Sequence, residues 1–163
     1  MGRKAVSRKR KAVTNRTNKW LGRLLLGLQH EDLKALTIDD LAGIAGKSKS
    51  TIYEYFASKE DILVAACGTR TNQLATSIAQ LEHRQLPVQQ QYIQLMEIFA
   101  RGTSDISIGF LQSIRQHYPG AWAVIDDFIN NFITLLEAQY RQGIERGIYN
   151  PVSVELLGTI DTL

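Results

Sequence analysis

Residues 36–63, LTIDDLAGIAGKSKSTIYEYFASKEDIL, hold two strong helix starts with a glycine between them, which leaves this part of the chain few ways to fold. Thr37 is followed by Asp40, and Ser58 by Asp61, each at the spacing of a capping box that satisfies the free amides of a helix N-terminus. Between the two starts, Leu41, Ile44, Ala45, Ile52 and Phe56 recur at helical spacing and point toward one small core. Lys47, Ser48, Lys49, Ser50, Thr51 and Tyr53 are left outside. Gly46 supplies the sharp turn that sets one short helix across the other. Two crossed helices presenting small, polar and cationic side chains form a helix-turn-helix, whose second helix enters the DNA major groove by its N-terminal residues. Ser48 falls at the N-cap of that helix, where its hydroxyl and the free amides meet a phosphate. Lys49, Ser50 and Thr51 are the residues expected to reach base edges: lysine donates to guanine O6 or N7, and the threonine methyl packs on a thymine methyl. Glu54 lies in the same helix and must face cytosine N4, a basic neighbour or water, because a phosphate would repel it.

These residues resemble the helix-turn-helix of the tetracycline-repressor (TetR) family of bacterial transcription regulators. The likeness is densest over residues 36–63, where the opening threonine, DLAGIAG, SKSTIYEYF and SKEDIL fall in family order. HYPGAWAVIDDFI and GIERGIYNP resemble later helices of the same family. The resemblance implies that Thr37, Tyr53, Tyr55 and Lys59 clamp flanking phosphates. Tyrosine suits this role because the ring packs on the head while the hydroxyl points outward. With Lys47, Ser48, Lys49, Ser50 and Thr51 they make up the expected DNA-binding set. The sequence departs from the family pattern at Lys47, where relatives often bury a valine, and at Ser50, where glycine is frequent. Leu28 and Asp32 align with a phenylalanine and a glycine, so the connection into Thr37 is expected to differ.

Charge divides the chain unevenly. The first twenty residues carry Arg3, Lys4, Arg8, Lys9, Arg10, Lys11, Arg16 and Lys19 and no acidic residue. Residues 1–70 total +7, which leaves −4 for the remainder of a chain of net charge +3. Such asymmetry turns one end toward a polyanion. A membrane surface would also attract a basic segment, but the adjoining helix-turn-helix favours nucleic acid. Residues 1–15 hold too few apolar side chains to pack and read as a disordered basic arm that follows phosphates or enters the minor groove, or else as a solvated tail. No apolar run approaches the ~18 residues of a membrane span, and no apolar segment follows the basic start, so a cytoplasmic protein without membrane contact is expected. The lone Cys67 excludes an internal disulfide framework and reads as a small core residue and not a redox sensor.

The rest of the pattern is helical, which gives an all-α fold: a three-helix DNA-binding head over residues 16–60 and a helical ligand-binding and dimerisation body over 61–163. Asn18 is expected to cap a first helix with Trp20, Leu21, Leu24, Leu25 and Leu28 on one face. Gly22 and Gly27 within it cost about 1 kcal/mol each relative to alanine. A long helix carrying Ile62, Leu63, Ala66, Cys67, Arg70, Leu74, Ile78 and Leu81 runs to about Arg84 and links head to body. Helices ending near Gly102 and spanning about 106–114 follow, then punctuation at Pro119 and Gly120. A last helix runs from about Ala121 to Arg146, stopped by Gly147. From Pro151 a fresh apolar pattern begins and breaks off at Leu163. Members of the TetR family usually continue for one or two helices that pair two protomers, so a truncated C-terminal end is expected.

The resemblance further implies a ligand cavity in the body. The candidate lining is Tyr92, Met96, Phe99, Phe110, Ile114, His117, Trp122, Ile125 and Phe128, most of which also read as ordinary core. His30, His83 and His117 are scattered and have no cysteine partner set, so no metal site and no cofactor is indicated. The expected function is a one-component transcriptional regulator, a repressor, that binds a palindromic DNA operator as a homodimer and is released by a small-molecule inducer. The rival is a ligand-independent architectural or accessory DNA-binding protein. Enzyme chemistry is not expected: no nucleophile elbow, phosphate loop or metal cluster is present, and adjacent Asp126 and Asp127 diverge by about 100° on a helix.

Overall fold

A computed structural model describes residues 10–151 and Ser153. The basic residues Arg3, Lys4, Arg8 and Lys9, and the apolar pattern from Val152 apart from Ser153, lie outside the described residues. The described chain contains seven α-helices and no strand: α1 (Asn15–Gly27), α2 (Ile38–Ala45), α3 (Lys49–Tyr55), α4 (Lys59–Glu82), α5 (Val88–Thr103), α6 (Ile108–His117) and α7 (Pro119–Glu145).

Local chemistry sets the helix ends. Thr37 and Asp40 form a complete capping box: the Asp40 carboxylate accepts from the Thr37 amide at 2.7 Å, and the Asp40 amide donates to the Thr37 hydroxyl at 3.3 Å. At Ser58 the box closes differently. Its hydroxyl accepts from the Asp61 amide at 3.1 Å, but the Asp61 carboxylate reaches one residue further back, to the Ala57 amide at 2.9 Å. Gly46 adopts φ 62° and ψ 43°, a left-handed conformation open to glycine, and the Lys47 amide returns to the Ala42 carbonyl at 2.8 Å.

Two expected starts move. Helix α1 is capped by Thr14, and Asn18 sits a turn inside, its side-chain oxygen accepting from the Thr69 hydroxyl of α4 at 3.2 Å. Helix α7 opens at Pro119, not Ala121. The imino ring presets the helical φ, and the first helical residue needs no amide partner, so proline here begins a helix as readily as it ends one. The stop at Gly147 is as expected, with φ 68° and the Ile148 amide bonded to the Gly143 carbonyl at 2.8 Å.

Two apolar clusters form the core. The first joins Trp20, Leu21, Leu24, Leu25 and Leu28 of the α1 region to Leu41, Ile52, Phe56, Ile62, Leu63 and Cys67, and also takes in Phe110, Ile114, Tyr118 and Ala121 from the α6–α7 corner. The second gathers Ile78, Leu81, Leu95, Phe132, Leu136 and Tyr140 at the far end of α4, α5 and α7. Phe99 stacks on Phe132 at 4.4 Å between centroids, extending that cluster toward the first. The two glycines of α1 differ. A Cβ at Gly27 would land on the Ile44 side chain, so glycine there lets α2 lie close, whereas nothing lies within 4 Å of a Cβ at Gly22.

Candidate nucleic-acid interface and a cavity in the body

Residues 47–55 emerge from the Gly46 turn as a mostly exposed surface. Ser48 caps α3, accepting from the Thr51 amide at 3.2 Å. Its hydroxyl also lies 2.9 Å from that of Ser50 and 2.8 Å from that of Thr51. Lys49, Ser50 and Tyr53 are exposed, and Lys47 and Thr51 half-buried. The Lys49 ammonium meets the Asp39 carboxylate of α2 at 2.6 Å, and this hydrogen bond raises its pKa. Contact between Lys49 and a guanine therefore requires it to leave Asp39, an exchange between two exposed partners with little net cost. Tyr55 is half-buried, its ring edge-on to Trp20 at 6.4 Å and tilted against Phe56 at 6.1 Å.

Glu54 faces a basic neighbour. Lys11 places its ammonium 2.7 Å from the carboxylate and donates its backbone amide to the Glu54 carbonyl at 2.8 Å. The hydrogen bond and the charge of Glu54 raise the Lys11 pKa. The basic segment is thus tied to the C-terminal end of α3 at the point where it meets the head.

Two expected phosphate clamps have other partners. The Thr37 hydroxyl donates to Asp40 at 2.7 Å, so it serves the cap of α2; that bond and the Thr37 amide hold the Asp40 carboxyl below its ordinary pKa. Lys59 departs further from expectation. Its ammonium donates to the carbonyls of Leu33 at 2.7 Å, Leu36 at 2.8 Å and Lys34 at 3.2 Å, and lies 5.6 Å from the centre of the Tyr118 ring. Three acceptors match the three ammonium protons. In this arrangement Lys59 closes the turn that leads into Thr37 and offers no proton to a phosphate. The sequence could not show it, because the carbonyls belong to a loop 23 to 26 residues away.

The body holds a cavity of about 330 Å³ between the two core clusters. Of the nine residues expected to line it, Phe99, Phe110, Trp122, Ile125 and Phe128 do. Tyr92 and Met96 instead pack against the second cluster, Ile114 is fully buried in the first, and His117 is half-buried outside the lining. Helical spacing identifies an apolar face but not which of its residues border a void. The lining missed from the sequence includes Leu25, Cys67, Leu74 and, above all, Arg70. A signal was present: Arg70 interrupts an otherwise apolar series on α4, where a charge needs a partner. It donates to the Gly102 carbonyl at 3.1 Å and to the Asp105 carboxylate at 2.7 Å. Burial pushes the Cys67 thiol up to about 12, so it stays protonated.

Contacts also tie this corner to the head. Ser107 donates its amide to Gln29 Oε1 at 2.7 Å and its hydroxyl to the Gln29 carbonyl at 2.5 Å, and the Tyr118 hydroxyl donates to the Leu33 carbonyl at 2.9 Å.

Residues 28–66 match the family described as bacterial regulatory proteins, tetR family. Over 100 residues the chain is 27% identical to YvaF of Bacillus subtilis (strain 168), an uncharacterized HTH-type transcriptional regulator. That match covers 58% of this chain and 50%, or half, of the relative's length. Among solved structures, the TetR family transcriptional regulator PfmR from Thermus thermophilus superposes with a TM-score of 0.73 at 23% identity, over 87% of this chain and 79% of its own. The transcriptional regulator FadR from Bacillus subtilis, in complex with stearoyl-CoA, superposes with a TM-score of 0.66 at 17% identity, over 88% and 80%. At these identities the structural likeness is one of fold.

Proposed function

On the premise that the chain belongs, through residues 28–66, to the tetR family of bacterial regulatory proteins, we propose that it is a one-component transcriptional repressor. In this reading it binds a palindromic operator as a homodimer in the cytoplasm and leaves it when a small molecule enters the body. The observation that carries the reading is the α2–Gly46–α3 turn. It holds Lys47, Ser48, Lys49, Ser50, Thr51 and Tyr53 close together in a unit whose two helix starts are capped by Thr37 and Ser48. Lys49, Ser50 and Thr51 read base edges; Thr37, Tyr53 and Tyr55 border the flanking phosphates; and Lys59 supports the turn beneath them.

The release step is supported by the cavity and by its connection to the head. Helix α4 lines the cavity through Cys67, Arg70 and Leu74, and it begins four residues after α3 ends at Tyr55. A ligand that favours a different setting of α4 alters the placement of α3. Coupling of ~1–3 kcal/mol suffices for an operator affinity change of up to about a hundredfold. That a regulator of this fold has been solved with stearoyl-CoA supports a small-molecule effector without naming the one used here.

Selection of bound duplexes from a random pool at moderate salt tests the reading. An inverted repeat with half-sites about one helical turn apart is expected. Enrichment of no sequence, with a steep salt dependence alone, would replace the regulator by a backbone-driven accessory protein.

A further inference from the structure

We propose that the body cavity is built for an amphipathic monoanion, an apolar chain or fused-ring body carrying one carboxylate, whose head group competes with Asp105 for Arg70. The proposal rests on the cavity being the effector site and assigns the chemical class of the effector.

Charge within the lining is confined to one residue. Among the described residues Arg70 is the sole ionised side chain bordering the void, while Asp105, its partner, lies outside the lining. The two lining threonines offer no free proton: the Thr71 hydroxyl donates to the Gly68 carbonyl at 3.3 Å and that of Thr103 to the Phe99 carbonyl at 2.9 Å. Cys67 is neutral, its thiol protonated. A guanidinium has five donor protons, and Gly102 and Asp105 engage one each, so a carboxylate can first take up the remaining donors and then compete with Asp105 for the same charge. A neutral ligand would gain nothing from the Arg70 charge, and a cation would be repelled by it. The remaining wall is aromatic and aliphatic, which calls for an apolar body. A cavity of about 150 Å³ accepts one benzene, so one of about 330 Å³ suits a body on the order of ten carbons.

The same residues give the ligand a route to the head. Gly102 lies near the end of α5 and Asp105 in the loop after it, so Arg70 fastens α4 to the α5–α6 corner. Two residues past Asp105, Ser107 grips Gln29, in the turn that follows α1, through two hydrogen bonds. An anion that draws Arg70 from Asp105 loosens a segment that also holds the head.

The test uses the purified full chain with decanoate, 1-decanol and decylamine, matched in chain length, titrated calorimetrically and by tryptophan fluorescence, with Trp20→Phe isolating the Trp122 signal. Decanoate is expected to bind at least tenfold more tightly than 1-decanol, with decylamine weakest. Arg70→Gln should bring decanoate to the level of 1-decanol, and Asp105→Asn should tighten decanoate several-fold by removing the competitor. Equal or tighter binding of 1-decanol, or Asp105→Asn leaving decanoate affinity unchanged, would overturn the proposal, as would no binding of any of the three. Asp105→Asn decides the matter even where Arg70→Gln does not fold. Operator binding is measured in parallel. Preferential decanoate binding without operator release would remove the effector reading and keep the charge assignment; release by other compounds, with no anion preference, would do the reverse.

Discussion

Replacing Lys59 by methionine separates two roles that the residue was open to. The change keeps an unbranched apolar stem and deletes the ammonium that donates to the carbonyls of Leu33, Lys34 and Leu36. Leu33 keeps its bond from the Tyr118 hydroxyl, so the loss falls on the other two carbonyls and on the charge beside the Tyr118 ring. A hydrogen bond from a charged donor is worth about 1.5–3 kcal/mol net where water is excluded. Lys59 is half-buried and one of its bonds is long, which places the total at about 2–3 kcal/mol with the ring contact included. At this chain length each kcal/mol lowers Tm by about 2–4 °C, so Lys59→Met should melt about 4–12 °C below the parent. Circular dichroism melts at pH 7, with and without operator DNA, provide the measurement. If Lys59 served as a phosphate clamp alone, the free protein would melt unchanged and the salt slope of DNA binding would fall by about one unit per protomer. A Tm within about 1 °C of the parent would refute the structural role.

Within the reading surface, Thr51→Ala should change preference at particular base pairs, seen by repeating the duplex selection. Glu54→Gln should free Lys11, raising affinity for all duplexes and steepening the salt slope by about one unit, with the consensus unchanged. In α1, Gly22→Ala should raise Tm by about 2–4 °C, since the added methyl meets nothing, whereas Gly27→Ala should lower it because Ile44 must move. Asp40 is held below its ordinary value of 3.8 by Thr37, so its stabilising contribution is present above that value and is lost as the pH falls through the lower folded value. Asp40→Asn should therefore remove a component of acid unfolding below about pH 4, followed by tryptophan fluorescence.

What the sequence disclosed was local. The capping box at Thr37, the left-handed Gly46 and the stop at Gly147 each rest on chemistry within a few residues, and each is found where the pattern places it. The shifted starts of α1 and α7 show where such signals compete. Thr14 and Asn18 both suit a cap, and tertiary contact with Thr69 engages Asn18 elsewhere; Pro119 stops one helix and starts the next. Lys59 and Arg70 were legible only as charges. Their partners come from segments distant in sequence, and periodicity carries no information about which segment folds back. The same limit explains the cavity: Ile114 and Phe110 share a face of α6, yet one is fully packed and the other borders the void.

On the proposed function, the first core cluster limits how the DNA-binding surface can be exchanged between proteins. A chimera that grafts residues 16–60 of another regulator onto this body would import α1–α3 but leave behind the wall they rest on, because Phe110, Ile114, Tyr118 and Ala121 complete that packing. The Ser107 amide would lose its side-chain acceptor, Gln29 Oε1, while the bonds of the Ser107 and Tyr118 hydroxyls to the main-chain carbonyls of residues 29 and 33 would depend on the graft placing those carbonyls alike. Such a hybrid inherits mismatched volumes at its centre, where even one methylene is felt. The transferable unit is smaller than the head: the outward faces of residues 47–55, which can be rewritten while every side chain that meets α6 or α7 is kept.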